Sequence, residues 1–87
     1  MDKISKILDR KISRDSSQSL FSQLEEILRE GIDDGTWKPG EPIPSERELS
    51  KIYGLSRMTV RKAIDRLVAA GLIYKVDGKG NFVSEPK

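Results

Sequence analysis

Ser56-Arg57-Met58-Thr59-Val60-Arg61 places two guanidinium groups four residues apart, together with two hydroxyls, directly after Gly54-Leu55. If these residues open a helix, Arg57 and Arg61 share a face of it, because residues four apart are neighbours on a helix surface. Arginine makes paired hydrogen bonds to guanine O6 and N7, each good pair contributing about 1–3 kcal/mol of discrimination. Ser56 and Thr59, with the free N–H groups of a first helical turn, suit phosphate oxygens. The chemistry on offer is readout of a DNA duplex through its major groove. The ordinary alternative is a pair of solvated surface arginines, and the position of both in the first turns after a tight bend argues against it.

Other residues extend this set. Met58 lies between the arginines without a hydrogen-bonding group, and suits either a thymine methyl or packing over the turn. Arg47 is the second residue of a helix that begins at Ser45, where the helix dipole disfavours a cation. An external anion would explain it, and so would a local salt bridge to Glu46 or Glu48. Asp77-Gly78-Lys79-Gly80 carries a cation between two glycines. A glycine there lets backbone approach a minor groove, although the same residues also make an ordinary turn. Lys75 and Lys79 are further candidates for phosphate contact.

Catalytic and metal chemistry find little support. The chain has 87 residues with no cysteine and no histidine, so a structural zinc site and a Ser-His-Asp triad are excluded. The carboxylate pairs Glu25-Glu26 and Asp33-Asp34 lie on segments read as exposed, with nothing to tune them for acid–base work. No phosphate-binding loop is present, and the glycines near residue 78 do not follow the strand-to-helix pattern of a dinucleotide site. No enzyme activity, cofactor or metal is expected.

The elements that must position these residues are legible in the apolar pattern. Residues 1–18 read as an N-terminal extension, a short amphipathic helix with Ile4, Ile7 and Leu8 on one face or else disordered. A first helix from Ser19 to Asp34 carries Leu20, Leu24, Ile27, Leu28 and Ile32 at three- and four-residue spacing, with Phe21 at the edge. Gly35 and the proline-rich stretch 36–44 cannot continue it. Trp37 and Ile43 are expected to plug into the core, the alternative for Trp37 being a stacking platform. Ser45-x-x-Glu48 is a capping box, and Leu49, Ile52 and Tyr53 face inward before Gly54 ends that helix. Ser56 then caps a third helix, 57–70, with Val60, Ala63, Ile64 and Leu67 as its apolar stripe. Leu72 to Val76 and Asn81 to Val83 flank a Gly-rich turn and predict a β-hairpin. The expected fold is mainly α with a small β-hairpin: a winged helix-turn-helix of three helices plus wing, occupying residues 19–87.

Charge agrees with that placement. Residues 1–46 hold seven Lys/Arg and ten Asp/Glu, a net −3, whereas residues 47–87 hold nine and four, a net +5. A basic C-terminal half is the footprint expected of phosphate contact. No apolar run approaches the roughly 18 residues of a membrane span, and no signal-peptide core is evident, so a cytoplasmic location is expected.

With these residues in hand, the chain resembles the N-terminal DNA-binding domain of the GntR family of bacterial transcription regulators, from about Leu20 to Val83. The resemblance rests on Ile43-Pro44-Ser45-Glu46-Arg47-Glu48-Leu49 and on Tyr53-Gly54-Leu55-Ser56-Arg57-x-Thr59-Val60-Arg61-x-Ala63. The ending Gly78-Lys79-Gly80-Asn81-Phe82-Val83 looks most like the HutC-type branch, where threonine usually stands at the position of Asn81. The resemblance implies sequence-specific binding of double-stranded operator DNA, with Arg47, Arg57 and Arg61 as base readers and Gly78 in the minor groove. Met58 stands where the family often has a smaller or hydroxyl-bearing residue, which leaves base preference open at that contact. The resemblance also implies an inverted-repeat operator, a homodimer in the full-length protein, and a nucleoid-associated cytoplasmic location. The dimerising, effector-binding domain of the family would lie beyond Lys87, so this chain alone is expected to be monomeric off DNA and to hold no effector site. The rival class is a winged helix used as a protein–protein adaptor, which predicts no preference for duplex and little response to salt. An enzyme reading requires an appended domain, such as the aminotransferase-like one that some members of the family carry.

Overall fold

A computed structural model describes residues 12, 13, 15 and 17–85. The proposed helix around Ile4, Ile7 and Leu8 lies outside the described residues. The elements are α1 (Leu20–Asp33), α2 (Glu46–Tyr53), α3 (Arg57–Ala69), β1 (Ile73–Val76) and β2 (Gly80–Val83).

Each helix starts where a hydroxyl can cap it. Ser19, Ser45 and Ser56 occupy the three N-caps in extended backbone, and each side chain accepts a backbone N–H from three residues on. That satisfies one of the donors a helix start leaves unpaired. At α2 the exchange is reciprocal: Ser45 N–H donates to Glu48 Oε1 at 3.0 Å, and Glu48 N–H donates to Ser45 Oγ at 3.1 Å. The predicted helix 19–34 is therefore 20–33 with its two end residues as caps.

The third helix is one residue shorter than the expected 57–70. Ala70 is its C-cap, and the N–H groups of Gly71 and Leu72 turn back to the carbonyls of Val68 and Leu67, at 3.0 Å each. This is the Schellman closure, which needs a left-handed residue after the cap. It also draws Leu72 out of the predicted strand, so that β1 begins at Ile73. At the other bend Gly54 has φ 65°, a conformation costly for a residue with a Cβ. The Ser50 hydroxyl donates to the Leu55 carbonyl, tying the end of α2 to the start of the turn.

The core is one cluster to which every element contributes. Leu24, Ile27 and Leu28 of α1 meet Leu49, Leu55, and Val60, Ala63, Ile64 and Leu67 of α3, with Ile73 and Val83 closing the hairpin side. Trp37 is buried in it, as is Ile43, so the stacking-platform alternative for Trp37 falls. The antiparallel hairpin pairs Ile73 with Val83 and Val76 with Gly80. Gly80 is thus a strand residue, and the turn proper is Asp77-Gly78-Lys79.

Two features, one in the approach to α2 and one before α1, were not legible in sequence. Residues 40–43 run beside β2 as a short third strand: Ile43 N–H donates to the Asn81 carbonyl at 3.0 Å and Val83 N–H to the Glu41 carbonyl at 2.9 Å. Pro42 bridges Phe82 between these bonds, the site in an antiparallel ladder where a missing N–H costs nothing. At the N-terminal side, Gln23 holds the chain: its amide accepts from Ser13 N–H at 2.7 Å and donates to the Ser13 carbonyl at 2.8 Å. Ile12 packs against the core beside it.

Gly31 is buried in α1, and a Cβ there would lie 2.3 Å from Trp37 Cζ3. Elsewhere in a helix Gly→Ala stabilises by up to about 1 kcal/mol; here overpacking, at about 1–3 kcal/mol, reverses the sign. Gly31→Ala is expected to lower the melting temperature by about 5–15 °C, measured by circular dichroism, with an altered Trp37 emission spectrum.

Candidate nucleic-acid interface

Because α3 buries Val60, Ala63, Ile64 and Leu67 completely, its remaining surface must face solvent. Arg57, Met58 and Arg61 lie on that surface, all exposed, and Met58 retains 73% of its accessibility. Packing over the turn is therefore not its role. Ser56 caps the helix, its Oγ accepting from Thr59 N–H at 3.2 Å and meeting Thr59 Oγ1 at 2.9 Å. The two hydroxyls expected at phosphates are thus a hydrogen-bonded pair at the helix start.

A cleft of about 520 Å³ separates the wing from the starts of α2 and α3. Glu46, Arg47, Arg57, Lys75 and Gly78 all line it. Residues 47, 57, 75 and 78, picked out separately in the sequence, are therefore brought to one concavity. Gly78 sits at the exposed tip with φ 75° and open space where a Cβ would be. Lys79 N–H closes the turn onto the Val76 carbonyl at 3.0 Å, which puts the Lys79 side chain on the tip as well. The left-handed third residue is what a type II turn requires.

Arg61 and Met58 line a different groove, of about 590 Å³, on the α1 side of α3, together with Phe21, Lys62, Asp65 and Arg66. Residues 57 and 61 share the exposed surface of the helix but open onto opposite flanks. Lys62 Nζ stands 4.3 Å above the Phe21 ring, and the Arg66 guanidinium 5.6 Å from it. Sequence places Lys62 on the face opposite the apolar stripe but singles out neither cation as a site residue; only the fold places the aromatic beneath them.

The charge pairing sorts the cations. Arg61 Nη2 meets Glu46 Oε1 at 3.3 Å, Lys75 Nζ meets Asp65 Oδ1 at 2.6 Å, and Arg66 Nε meets Glu25 Oε1 at 2.6 Å. These pairs are solvent-accessible on their basic side, and such pairs contribute about 0.2–1 kcal/mol. Arg47, Arg57 and Lys79 make no ion pair among the described residues. The local bridge from Arg47 to Glu46 or Glu48 does not form; Glu46 meets Arg61 instead, and Glu48 accepts from Ser45 N–H. Among the described residues no group of His, Cys, Asp or Glu is arranged to hold a metal ion, and no helix is long and apolar enough to cross a membrane.

Ser56→Asp separates capping from DNA contact. Aspartate caps as well as serine and is favoured by the helix dipole, so the melting temperature is expected to stay within about 4 °C. A carboxylate at this surface opposes a phosphate, and duplex affinity measured by fluorescence anisotropy is expected to fall about tenfold or more at low salt.

Comparison with known proteins agrees with this geometry. Residues 20–83 match the model of the bacterial regulatory proteins of the gntR family. The chain is 45% identical over 76 residues to the HTH-type transcriptional repressor NagR of Bacillus subtilis, covering 87% of this chain and 31% of that protein. It is 41% identical over 68 residues to the histidine utilization repressor of Pseudomonas putida, covering 78% of this chain and 27% of that protein. The chain thus spans under a third of the length of these curated relatives. Among solved structures, the AraR DNA-binding domain in complex with operator ORE1 superposes with a TM-score of 0.77 at 38% identity, covering 84% of this chain and 89% of that one. YtrA from Sulfolobus acidocaldarius, a GntR-family transcription factor, superposes with a TM-score of 0.81 at 34% identity, covering 88% and 81%. A family match across most of the chain, on a fold whose second and third helices and hairpin converge on a basic cleft, makes this chain a winged helix-turn-helix DNA-binding domain of the GntR family.

Proposed function

We propose that the domain reads operator DNA in a sequence-specific manner, with α3 in the major groove and the hairpin tip 77–80 in the flanking minor groove. The observation that carries this is the convergence of Arg47, Arg57 and Gly78 on one cleft, the two arginines making no ion pair among the described residues. A cation left without an internal partner at a helix start is poised for an external anion. Arg57 and Arg61 would read base edges, and Arg47 a base or its phosphate. Met58, fully displayed, would lie against a thymine methyl. Ser56, Thr59, Lys75 and Lys79 would position the domain on phosphates. That the AraR DNA-binding domain, which shares this fold, forms a complex with operator supports operator DNA as the partner.

The whole protein would act as a repressor, as the NagR and histidine utilization repressors are named. It would work as a homodimer on an inverted repeat in the bacterial cytoplasm, at the nucleoid, with this domain monomeric off DNA. No cofactor is needed for any of these steps.

Selection of bound duplexes from a random pool is expected to return a defined half-site. On that site Arg57→Ala and Arg61→Ala should each reduce discrimination over scrambled duplex about tenfold to a hundredfold while leaving weak, salt-sensitive binding. Lys79→Ala should instead weaken all duplexes alike and reduce the slope of log affinity against log salt by about one. Unchanged discrimination in both arginine variants would refute the base-reading assignment.

A further inference from the structure

Glu46 places a carboxylate on the surface that carries Arg47, Arg57 and Arg61, where a polyanion would dock. A negative charge there opposes phosphate; its favourable place in the first turn of α2 contributes only about 0.3–1 kcal/mol, which leaves room for a function in the bound state. Capping α2 is not that function, because Glu48 completes the capping box. Stability is a weak reason, since the pair that Glu46 makes with Arg61 leaves the arginine side chain 56% exposed, and exposed ion pairs contribute little. What the pair does supply is direction. It ties the first residue of α2 to the outer surface of α3 across fifteen residues of sequence, through Arg61 Nη2 and Glu46 Oε1 at 3.3 Å.

A guanidinium has five N–H donors in a rigid fork and otherwise swings on a long, flexible stem. Holding one nitrogen limits the swing and leaves the other donors facing outward. Arg47 and Arg57 have no such tether among the described residues.

We propose that Glu46 is a specificity-positioning residue: its carboxylate orients the Arg61 fork toward a base edge, while its charge weakens binding to any duplex. This inference rests on the proposed base reading by Arg61. Glu46 need touch no DNA itself. Its charge lowers affinity for every duplex slightly, and its hold on Arg61 raises the ratio between right and wrong ones.

The test compares affinities for the selected duplex and a scrambled one in four proteins: wild type, Glu46→Ala, Arg61→Ala and the double variant, with Glu46→Gln as the conservative control. Glu46→Ala is expected to bind scrambled duplex several-fold more tightly and to lose about tenfold in discrimination, the lower end of what one base-reading arginine supplies. Glu46→Gln, which keeps an acceptor oxygen in place, is expected to retain most of the discrimination. In the Arg61→Ala background, Glu46→Ala should remove no further discrimination. Thermal denaturation accompanies each variant. Glu46→Ser, compatible with a helix start but too short to reach Arg61, gives the same reading if Glu46→Ala does not fold. Unchanged discrimination in Glu46→Ala, or losses that add in the double variant, overturns the inference while base reading stands. A wild-type domain that selects no sequence overturns both.

Discussion

The complete burial of one face of α3 is the constraint on which the rest of the molecule depends. Val60, Ala63, Ile64 and Leu67 are fully withdrawn from solvent, and a helix held on one side by α1, α2 and β1 can present only its other side. The arginines of α3 are exposed because their helical phase leaves them no other place. Burying four such side chains contributes on the order of 6–10 kcal/mol of hydrophobic free energy, far more than any ion pair on the outer face. Substitutions at Arg57, Met58 or Arg61 can therefore probe the proposed recognition without threatening the fold.

Everything around α3 fixes its orientation. Trp37, seated against Gly31, locks the end of α1 to the proline-rich approach, and the pairing of residues 40–43 with β2 ties that approach to the hairpin. Through these links the start of α2, the start of α3 and the wing, which together line the cleft shared by Arg47, Arg57 and Gly78, belong to one connected framework. The electrostatics overlay this frame lightly. Exposed pairs such as Lys75–Asp65 contribute about 0.2–1 kcal/mol each, little beside the buried face of α3.

Much of this was legible in sequence because it is local. Ser45, Glu48 and Ser56 announce helix starts within three residues, Gly54 and Gly71 announce ends, and the three- and four-residue apolar spacing names the faces. The family resemblance then proposed Arg47, Arg57, Arg61 and Gly78 as one interface; three of them line one cleft, and Arg61 lines the neighbouring groove. What sequence did not reveal depends on contacts between distant residues. Periodicity says that Arg61 is exposed but not that Glu46, rather than solvent, faces it. It marks Phe21 as peripheral but not as the base of the Lys62 and Arg66 side chains. The prolines suggested only the absence of helix, although Pro42 occupies a strand position that tolerates a missing donor.

The central claim, that α3 and the wing together face DNA, is tested most directly by nuclear magnetic resonance during titration with the selected duplex. Following the side-chain Nε–Hε signals of Arg47, Arg57 and Arg61 and the backbone amide of Gly78, the account predicts that all four shift together and saturate at one domain per half-site. Movement confined to signals of the opposite surface, such as Ser13 and Gln23, with those four unchanged at saturation, would contradict it.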